Sequence, residues 1–299
     1  MENKIVSIII VNWNGGEVLR NCIDSIFKYS KKEMFEIIVI DNNSSDNSID
    51  LIKDYEVSIY KQDENFGFAK ANNIGYKYAK GKYILALNSD TLFTDDNISI
   101  MVEEFEKQAD DVVMMTAKLL NKDMSIQKNC YDIPTLRSMF FDLIFKIRKK
   151  PKGNYKIGGY VQGAIGAYML IKKSYIDNFG MFDESYFFYH EDIDLCNQIK
   201  KNKKKIYLSV KSKVIHLGGY STKSVKSEMI FEMHKSHYIF AEKNLSKFKL
   251  KLFKAYMKIG LLTDFVVSFA RVIVRNMKYS EFKYRIKSYK KIRKLGKSK

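Results

Sequence analysis

The chain is short of the residues that break or staple a polypeptide. In 299 residues it has 2 prolines, 15 glycines and 3 cysteines. So few breakers exclude a linker-rich, collagen-like or low-complexity protein. Cys22, Cys130 and Cys196 are scattered and odd in number. They match neither a metal spacing nor a disulfide framework, which fits a reducing compartment. Trp13 is the only tryptophan, and no internal repeat is present. The first apolar run, Ile5–Val11, gives way at once to Asn12 and Asn14. A secretory signal would need a basic start, a longer apolar stretch and a cleavage site, so the expectation is a cytoplasmic protein. Acids are scarce at one end only. Residues 241–299 carry 18 Lys or Arg against Glu242, Asp264 and Glu281, a net +15, which leaves +3 of the total +18 for the first 240 residues. The basic character belongs to the tail, and the two regions need separate explanations.

What is present is a rich apolar complement, 46% hydrophobic with 20 Tyr and 20 Phe, enough to bury a sizeable core. The first half alternates short β-branched runs with amphipathic segments, the pattern of a doubly wound α/β sheet. Strands are expected at Ile5–Val11, Glu36–Ile40, Val57–Tyr60 and Tyr83–Leu87. Helices are expected at Gly15–Tyr29, Asp46–Asp54 (with Asp46 as N-cap) and Ala69–Ala79. The second half predicts a helix over Asp95–Gln108, a strand over Val112–Ala117 and a weakly patterned, mobile-looking stretch over 121–160. A strand-like run at Gly163–Ile171 follows, then a capped segment from Ser174 and a helix from about Glu191. Strands at Lys205–Val210 and Val214–His216 precede a helix over roughly Ser224–Asn244. Ligands of such sheets gather beyond the carboxyl ends of the strands. Three polar clusters sit at such ends: Asn12-Trp13-Asn14, Asp41-Asn42-Asn43 and Asn88-Ser89-Asp90.

Asp90 follows the wholly apolar Ile84-Leu85-Ala86-Leu87, so its carboxylate stands at the top of a buried strand. A hard divalent cation takes oxygen ligands, commonly one or two carboxylates with phosphate and water, and there it would neutralise a departing diphosphate. The competing reading is a turn aspartate capping the next segment, since Thr91 and Asp95 also look like helix starts. Glu191, Asp192 and Asp194 follow the aromatic run Tyr186–Tyr189. Acids in a first helical turn meet the helix dipole favourably. An aromatic neighbourhood would also desolvate a carboxylate and raise its pKa into the range of a working base. Glu191 and Asp194 share a helix face, while Asp192 points elsewhere. Asn65-Phe66-Gly67-Phe68-Ala69 offers small-residue turns at a helix start, where backbone amides can face phosphate. His216, between a strand and Gly218-Gly219, reads either as structural or as a ligand of metal or phosphate.

In this order the segments resemble the inverting glycosyltransferases of family two, with the rhamnosyltransferase-like subgroup of bacterial surface-polysaccharide assembly the nearest. The resemblance covers about residues 4–220. It rests on Ser7–Gly15 (SIIIVNWNG), Val39–Asp46 (VIDNNSSD), Asn65–Gly75 (NFGFAKANNIG), Tyr83–Thr91 (YILALNSDT), Gly163–Ile171 (GAIGAYMLI) and Phe179–Leu195 (FGMFDESYFFYHEDIDL). It implies an α/β GT-A fold, a Rossmann-like nucleotide-sugar-binding mixed sheet, followed by a C-terminal basic amphipathic helical extension. The implied division is 1–240 for the GT-A domain and 241–299 for an extension that associates with a membrane or another subunit.

By the same resemblance, Val11, Asn12 and Trp13 line the nucleotide site and Asp41 bonds the pyrimidine base. Asn65, Gly67 and Asn72 lie beside base and ribose, and Asn88 and Ser89 complete the donor side. Asp90 holds Mg2+ or Mn2+, His216 stands near the metal or diphosphate, and Asp192 is the catalytic base with Glu191 beside it. Gly163 and Ala164 belong to the acceptor-side strand. Asn88 replaces the first Asp of the family's strict metal motif, which leaves one carboxylate for the ion. The Gln-X-X-Arg-Trp signature of processive synthases is absent, since the sole Trp is Trp13. The resemblance thus implies transfer of a single sugar with inversion, from a nucleotide-diphosphate sugar such as TDP-rhamnose to a saccharide or polyprenyl-linked acceptor. Two other readings stand beside it: a non-catalytic nucleotide-sugar-binding relative, and a nucleic-acid-binding protein using its basic tail. No nucleic-acid module precedes that tail, so a nucleic-acid partner is not expected.

In the tail, Asp264, Ser268, Arg271, Arg275 and Lys278 recur at helical spacing as one narrow polar stripe, with apolar residues almost everywhere else over 259–278. Asp264 and Arg271 interrupt the run, which argues against a spanning helix. The pattern suits an interfacial helix, with residues 250–299 on an anionic membrane surface and the protein peripheral at the inner face of the cell membrane. Its rival is a helix packed on the protein or across a dimer. The sequence leaves oligomeric state open.

Overall fold

Continuous apolar runs dictate the first layer. Val6–Asn12 (β1), Phe35–Asp41 (β2) and Tyr83–Asn88 (β4) are almost wholly buried. Strands covered on both faces read as unbroken β-branched runs in this way. β1 lies between β2 and β4, parallel to both, in a register that sets Asn12 beside Asp41 and Val11 beside Asn88. The polar strand ends thereby come together along one edge. The computed structural model describes residues 4–145, 153–218 and 226–295.

The described chain forms two compact units. One contains residues 4–133, 153–187 and 191–218, the other 134–145, 188–190 and 226–295. The first is built on a ten-stranded mixed sheet. Its remaining strands are Ser58–Lys61 (β3), Thr91–Phe93 (β5), Val112–Leu120 (β6), Ile126–Gln127 (β7), Gly159–Val161 (β9), Tyr168–Lys172 (β11) and Lys205–His216 (β12). The order is β3-β2-β1-β4-β11-β6-β12-β5, with β7 on β6 and β9 on β12. The antiparallel β11, wedged between β4 and β6, makes the sheet mixed. Cys130–Tyr131 (β8) and Gly163–Ala164 (β10) form a separate antiparallel pair. Gly16–Tyr29 (α1) covers the sheet with Leu19, Cys22, Ile23 and Ile26, one helical face. Gly67–Tyr76 (α2), Asn97–Glu106 (α3), Lys173–Phe179 (α5) and Glu191–Lys201 (α6) complete this unit. The second unit is helical: Leu136–Phe145 (α4), Lys226–Asn244 (α7), Lys247–Ile273 (α8) and Tyr279–Leu295 (α9).

The alternating α/β reading holds, and the differences are local. The helix expected over Asp46–Asp54 is only a 3-10 turn at Asp50–Ile52. Asp46 spends its carboxylate on Ser48, accepting from its amide at 3.1 Å and from its hydroxyl, the short-range competition that keeps Asp out of helix interiors. Thr91 starts a strand, not a helix; Asp96 caps α3 by accepting from Ser99 N–H. The run Gly163–Ile171 is interrupted between β10 and β11, where Ile165 N–H donates to Asn129 O and Asn88 N–H to Ala167 O. The two late strands are one bulged strand, with Ser209 and Ser212 turned inward at the bulge to donate to Glu104 and Asp95. The weakly patterned 121–160 contains α4 and three short strands; its residues 146–152 lie outside the described residues, as do Gly219, Ser224 and the last four residues. In the tail the single helix over 259–278 is replaced by α8 and α9, with a left-handed Arg275 (φ 57°) in the turn.

Candidate active site

At the carboxyl end of β1, Asn12 Nδ2 donates to Asp41 Oδ1 at 2.9 Å and to Ser48 Oγ at 2.9 Å, while its Oδ1 accepts from Gly15 N–H at 3.2 Å. A Cβ at position 15 would lie 2.4 Å from that oxygen, so the turn out of β1 requires glycine. Asp41 is buried and held from one side by Asn12. Val11 and Trp13 flank this pair and stay partly exposed.

The next strand end is tied to the helix start that follows it. Asn42 Nδ2 donates to Asn65 Oδ1 at 2.9 Å and Asn42 Oδ1 accepts from Phe66 N–H at 3.2 Å; Asn65 Oδ1 also accepts from Gly67 N–H at 2.9 Å. Gly67 has φ +78°, and a Cβ there would fall 2.1 Å from Phe187 O. Phe68 N–H donates to that same carbonyl at 2.9 Å. The turn before α2 is therefore docked on the segment leading into α6. Asn72 is buried within α2, where its Nδ2 donates to Phe68 O at 2.9 Å and its Oδ1 has no partner.

At the amino end of α6, Asp192 Oδ2 accepts from Gly166 N–H at 3.0 Å and Oδ1 from Ile193 N–H at 2.7 Å. Each oxygen keeps a lone pair. Desolvation raises the Asp192 pKa from the usual carboxylate range to about 6, against the opposing pull of the Ile193 and Gly166 amides. Glu191 is buried with Oε2 unpartnered, and its pKa is pushed well up by desolvation and then by the charge of Asp192. The pair therefore holds its first negative charge on Asp192 while Glu191 stays protonated. Asp194 turns inward, where Tyr186 donates to its Oδ1 at 3.4 Å. Gly163 and Ala164 are buried against Tyr131, which donates to Ala164 O at 3.1 Å. A Cβ at Gly163 would lie 2.3 Å from the Tyr131 ring. Burial, followed by the charge of Asp192, keeps the Tyr131 phenol protonated.

The third constellation is at β4, β5 and β12. His216 pairs across the ladder with Thr91, which brings His216 Nε2 to 3.2 Å from Asp90 Oδ1 and 3.4 Å from Asn88 Nδ2. Both Asp90 and His216 are buried, and so is Ser89. Gln127 orients the imidazole. Its Nε2 donates to Asn121 Oδ1 at 2.9 Å and to His216 O at 3.0 Å, so its Oε1, 2.6 Å from His216 Nδ1, must accept. In neutral His216, Nδ1 therefore carries the proton and a bare Nε2 lone pair faces a carboxylate oxygen. Asn88 Nδ2 can donate to that lone pair, and a metal ion bound there would take Nε2 and Asp90 Oδ1 together. Among the described residues no cluster of three or more His, Cys, Asp or Glu side chains assembles into a metal cage. Asp90 and His216 form a two-ligand set that fits a cation taking its remaining oxygens from phosphate and water.

The structure thus brings Asn12 to Asp41, Asn65 to Gly67 beside Phe187, and Asn88 to Asp90 and His216. Sequence reasoning missed Gly166, Tyr131 and Gln127. The contribution of Gly166 is a backbone N–H, which leaves no side-chain signal, and Gln127 and Tyr131 sit in the weakly patterned stretch.

The sequence matches Glycosyl transferase family 2 over residues 7–180, more than half of the chain. Glycosyltransferase GlyG of Streptococcus pneumoniae is 29% identical over 117 residues, 38% of this chain and 38% of that protein, so the chain spans well under half of this relative. Rhamnosyltransferase WbbL of Escherichia coli is 26% identical over 238 residues, covering 75% of this chain and 88% of that protein. TarS 1–349 of S. aureus superposes with a TM-score of 0.57 at 14% identity, covering 95% of this chain and 78% of that one. That likeness speaks to the fold, and it agrees with the mixed sheet described above. The chain belongs to glycosyl transferase family 2, and its fold is the GT-A fold.

Proposed function

We propose that the chain is an inverting, non-processive glycosyltransferase that moves one sugar from a nucleotide-diphosphate sugar to a saccharide or polyprenyl-linked acceptor in surface-polysaccharide assembly. TDP-rhamnose is the donor best supported, because the likeness to WbbL extends over 75% of the chain. The observation that carries the reading is Asp192: a carboxylate anchored by Gly166 N–H at 3.0 Å, lifted to about 6, with a protonated Glu191 beside it.

Asp192 accepts the proton of the acceptor hydroxyl as that oxygen attacks the anomeric carbon. The bond from that carbon to the diphosphate breaks on the opposite side, and one displacement inverts the configuration. A base of this pKa is ionised at neutral pH yet basic enough to assist the transfer. Gly166 and Ile193 fix its plane. Asn12 and Asp41 shape the base end of the donor pocket, with Val11 and Trp13 along its wall. Asn65, Gly67 and Asn72 place the turn beside base and ribose, and Asn88 and Ser89 lie toward the diphosphate. Gly163 and Ala164, backed by Tyr131, support the acceptor side. Mg2+ or Mn2+ held by Asp90 and His216 would supply charge neutralisation for the leaving diphosphate.

We further assign residues 1–240 to the catalytic domain and 241–299 to a basic extension. That extension holds the protein peripherally at the inner face of an anionic membrane through residues 250–299. Its net charge of +15 supports this, since each basic residue near such a surface contributes about 1 kcal/mol.

A donor screen reading nucleoside diphosphate release, with and without Mn2+, tests the enzymatic reading. Release from TDP-rhamnose above UDP-sugars is expected, stimulated by the metal. Release from no donor would favour a non-catalytic nucleotide-sugar-binding protein.

A further inference from the structure

The tail helix α8 presents to solvent the face that a water-soluble helix normally buries. Ile259, Leu262, Val266, Phe269 and Ile273 recur at spacings of three and four, so they line one side of the helix. Leu262 is 64% exposed, Val266 56% and Ile273 66%. The opposite side carries the small and polar residues. Ser268 is 2% exposed, and Asp264 accepts from Tyr289 and pairs with Arg285 at 3.4 Å, both on α9. Gly260 meets α4, where a Cβ would lie 2.6 Å from Leu143 O. Through that close approach α4 adds Phe141 and Phe145, also exposed, to the apolar surface of this unit. An exposed apolar stripe of this extent marks an interaction site.

The charges around the stripe select its occupant. Lys258, Arg271, Arg275 and Lys278 are all exposed. Each of the three acids of the region has a basic partner within the chain: Glu242 pairs with Lys254, and Asp264 and Glu281 with Arg285, although Glu242 and Glu281 stay about half exposed. At the end of the stripe, the α8–α9 turn forms a concavity lined by Arg275, Lys278 and Glu281 with Asn276, Val272 and Met277. An apolar stripe with basic groups at its end matches the acyl and phosphate layers of an anionic bilayer. A second copy would bring +15 against +15. Among the described residues no helix is long and apolar enough to cross a membrane. The apolar part of α8, residues 259–273, is only ~23 Å long at 1.5 Å per residue, short of a ~30 Å hydrocarbon core.

We propose that α8 lies in the interface of an anionic membrane, with the Ile259–Ile273 stripe in the acyl layer and the Arg275–Lys278 turn on lipid phosphate. This inference rests on the membrane association proposed above and assigns it to one helix face. Of the sequence's polar stripe, Asp264 and Ser268 face inward, while Arg271, Arg275 and Lys278 are exposed.

Sedimentation of the full chain with vesicles of equal phosphatidylglycerol and phosphatidylcholine, against phosphatidylcholine alone, tests it. Helix content and Tm of each variant are checked by circular dichroism. Wild type is expected to bind the anionic vesicles. L262E/V266E/F269E, all at exposed positions, should lose at least tenfold in binding with an unchanged fold. R275E/K278E should weaken binding several-fold and flatten its salt dependence. If the triple variant binds like wild type, the stripe is not the contact, and membrane association by charge alone survives. Wild type that ignores both vesicles sinks the association itself. A wild-type dimer that the triple variant dissolves would give the stripe to a second copy and overturn the proposal.

Discussion

The two units place the same kinds of residue in opposite ways. In the sheet unit, Ile8, Ile9 and Ile10 are wholly buried, and polar groups such as Asn12, Asp41 and Asp90 collect at the strand ends. In the helical unit, Leu262, Val266 and Ile273 face outward while Ser268, Ser288 and the Asp264 carboxylate turn inward. The sheet unit buries its apolar runs and gathers polar groups at one end of its strands. The helical unit leaves an apolar face uncovered, the face proposed above to meet a membrane. Buried polar residues at the strand ends carry the proposed chemistry of the first unit, whereas in the second they join one helix to another.

That contrast breaks most sharply at Asp192. Asp192→Asn should lower transfer by ~10^3-fold or more with donor affinity within a few-fold of wild type, read by nucleoside diphosphate release and equilibrium dialysis of the donor. The same change should not lower Tm at pH 7.5. A carboxylate whose folded pKa is raised to about 6 contributes stability below its unfolded pKa, and that contribution is gone above pH 6, so asparagine forfeits nothing there. Asp90→Ala should cost ~10^2-fold and abolish Mn2+ stimulation; an Asp90→Ala enzyme that still responds fully to Mn2+ would remove that residue from the ion site. Gly67→Ala should destabilise the sheet unit by about 3 kcal/mol in urea unfolding. Its φ of +78° and the approach of Phe187 O leave no room for a methyl group. In the helical unit, Asp264→Ala should cost about 2 kcal/mol, because it removes the more buried of the two acids on Arg285 and the acceptor of Tyr289. A larger loss there than from Gly67→Ala would mean that the inward polar contacts carry more of the fold than the contrast allows.

Where side chains alone decide a feature, the sequence carried it. β1, β2 and β4 read as strands because runs such as Ile8-Ile9-Ile10 have no polar position to place outside. The acids at the start of α6 were legible as a group, because the aromatic run before them points to desolvated carboxyls, but the choice of Asp192 among them came from the family resemblance alone. Features decided by three-dimensional choice were not legible. Asp46 offered an N-cap and used its carboxylate on Ser48 instead. α4 (LRSMFFDLIF) is apolar nearly all round, so no period betrays it. In α8 the period was plain but its direction was not: a stripe of Asp264 and Ser268 shows two faces without saying which is inward, and the partners that settle it, Arg285 and Tyr289, lie more than twenty residues on. Gly166 holds Asp192 through a backbone N–H, which every residue type but proline has.

The most direct test of the account is the pH profile of kcat/KM for the wild-type chain between pH 5 and 8, at saturating metal. A base that must be ionised and titrates at about 6 predicts a plateau above pH 7 and a tenfold fall per unit well below 6. A profile that stays flat down to pH 5 would contradict Asp192 as the group that takes the acceptor proton.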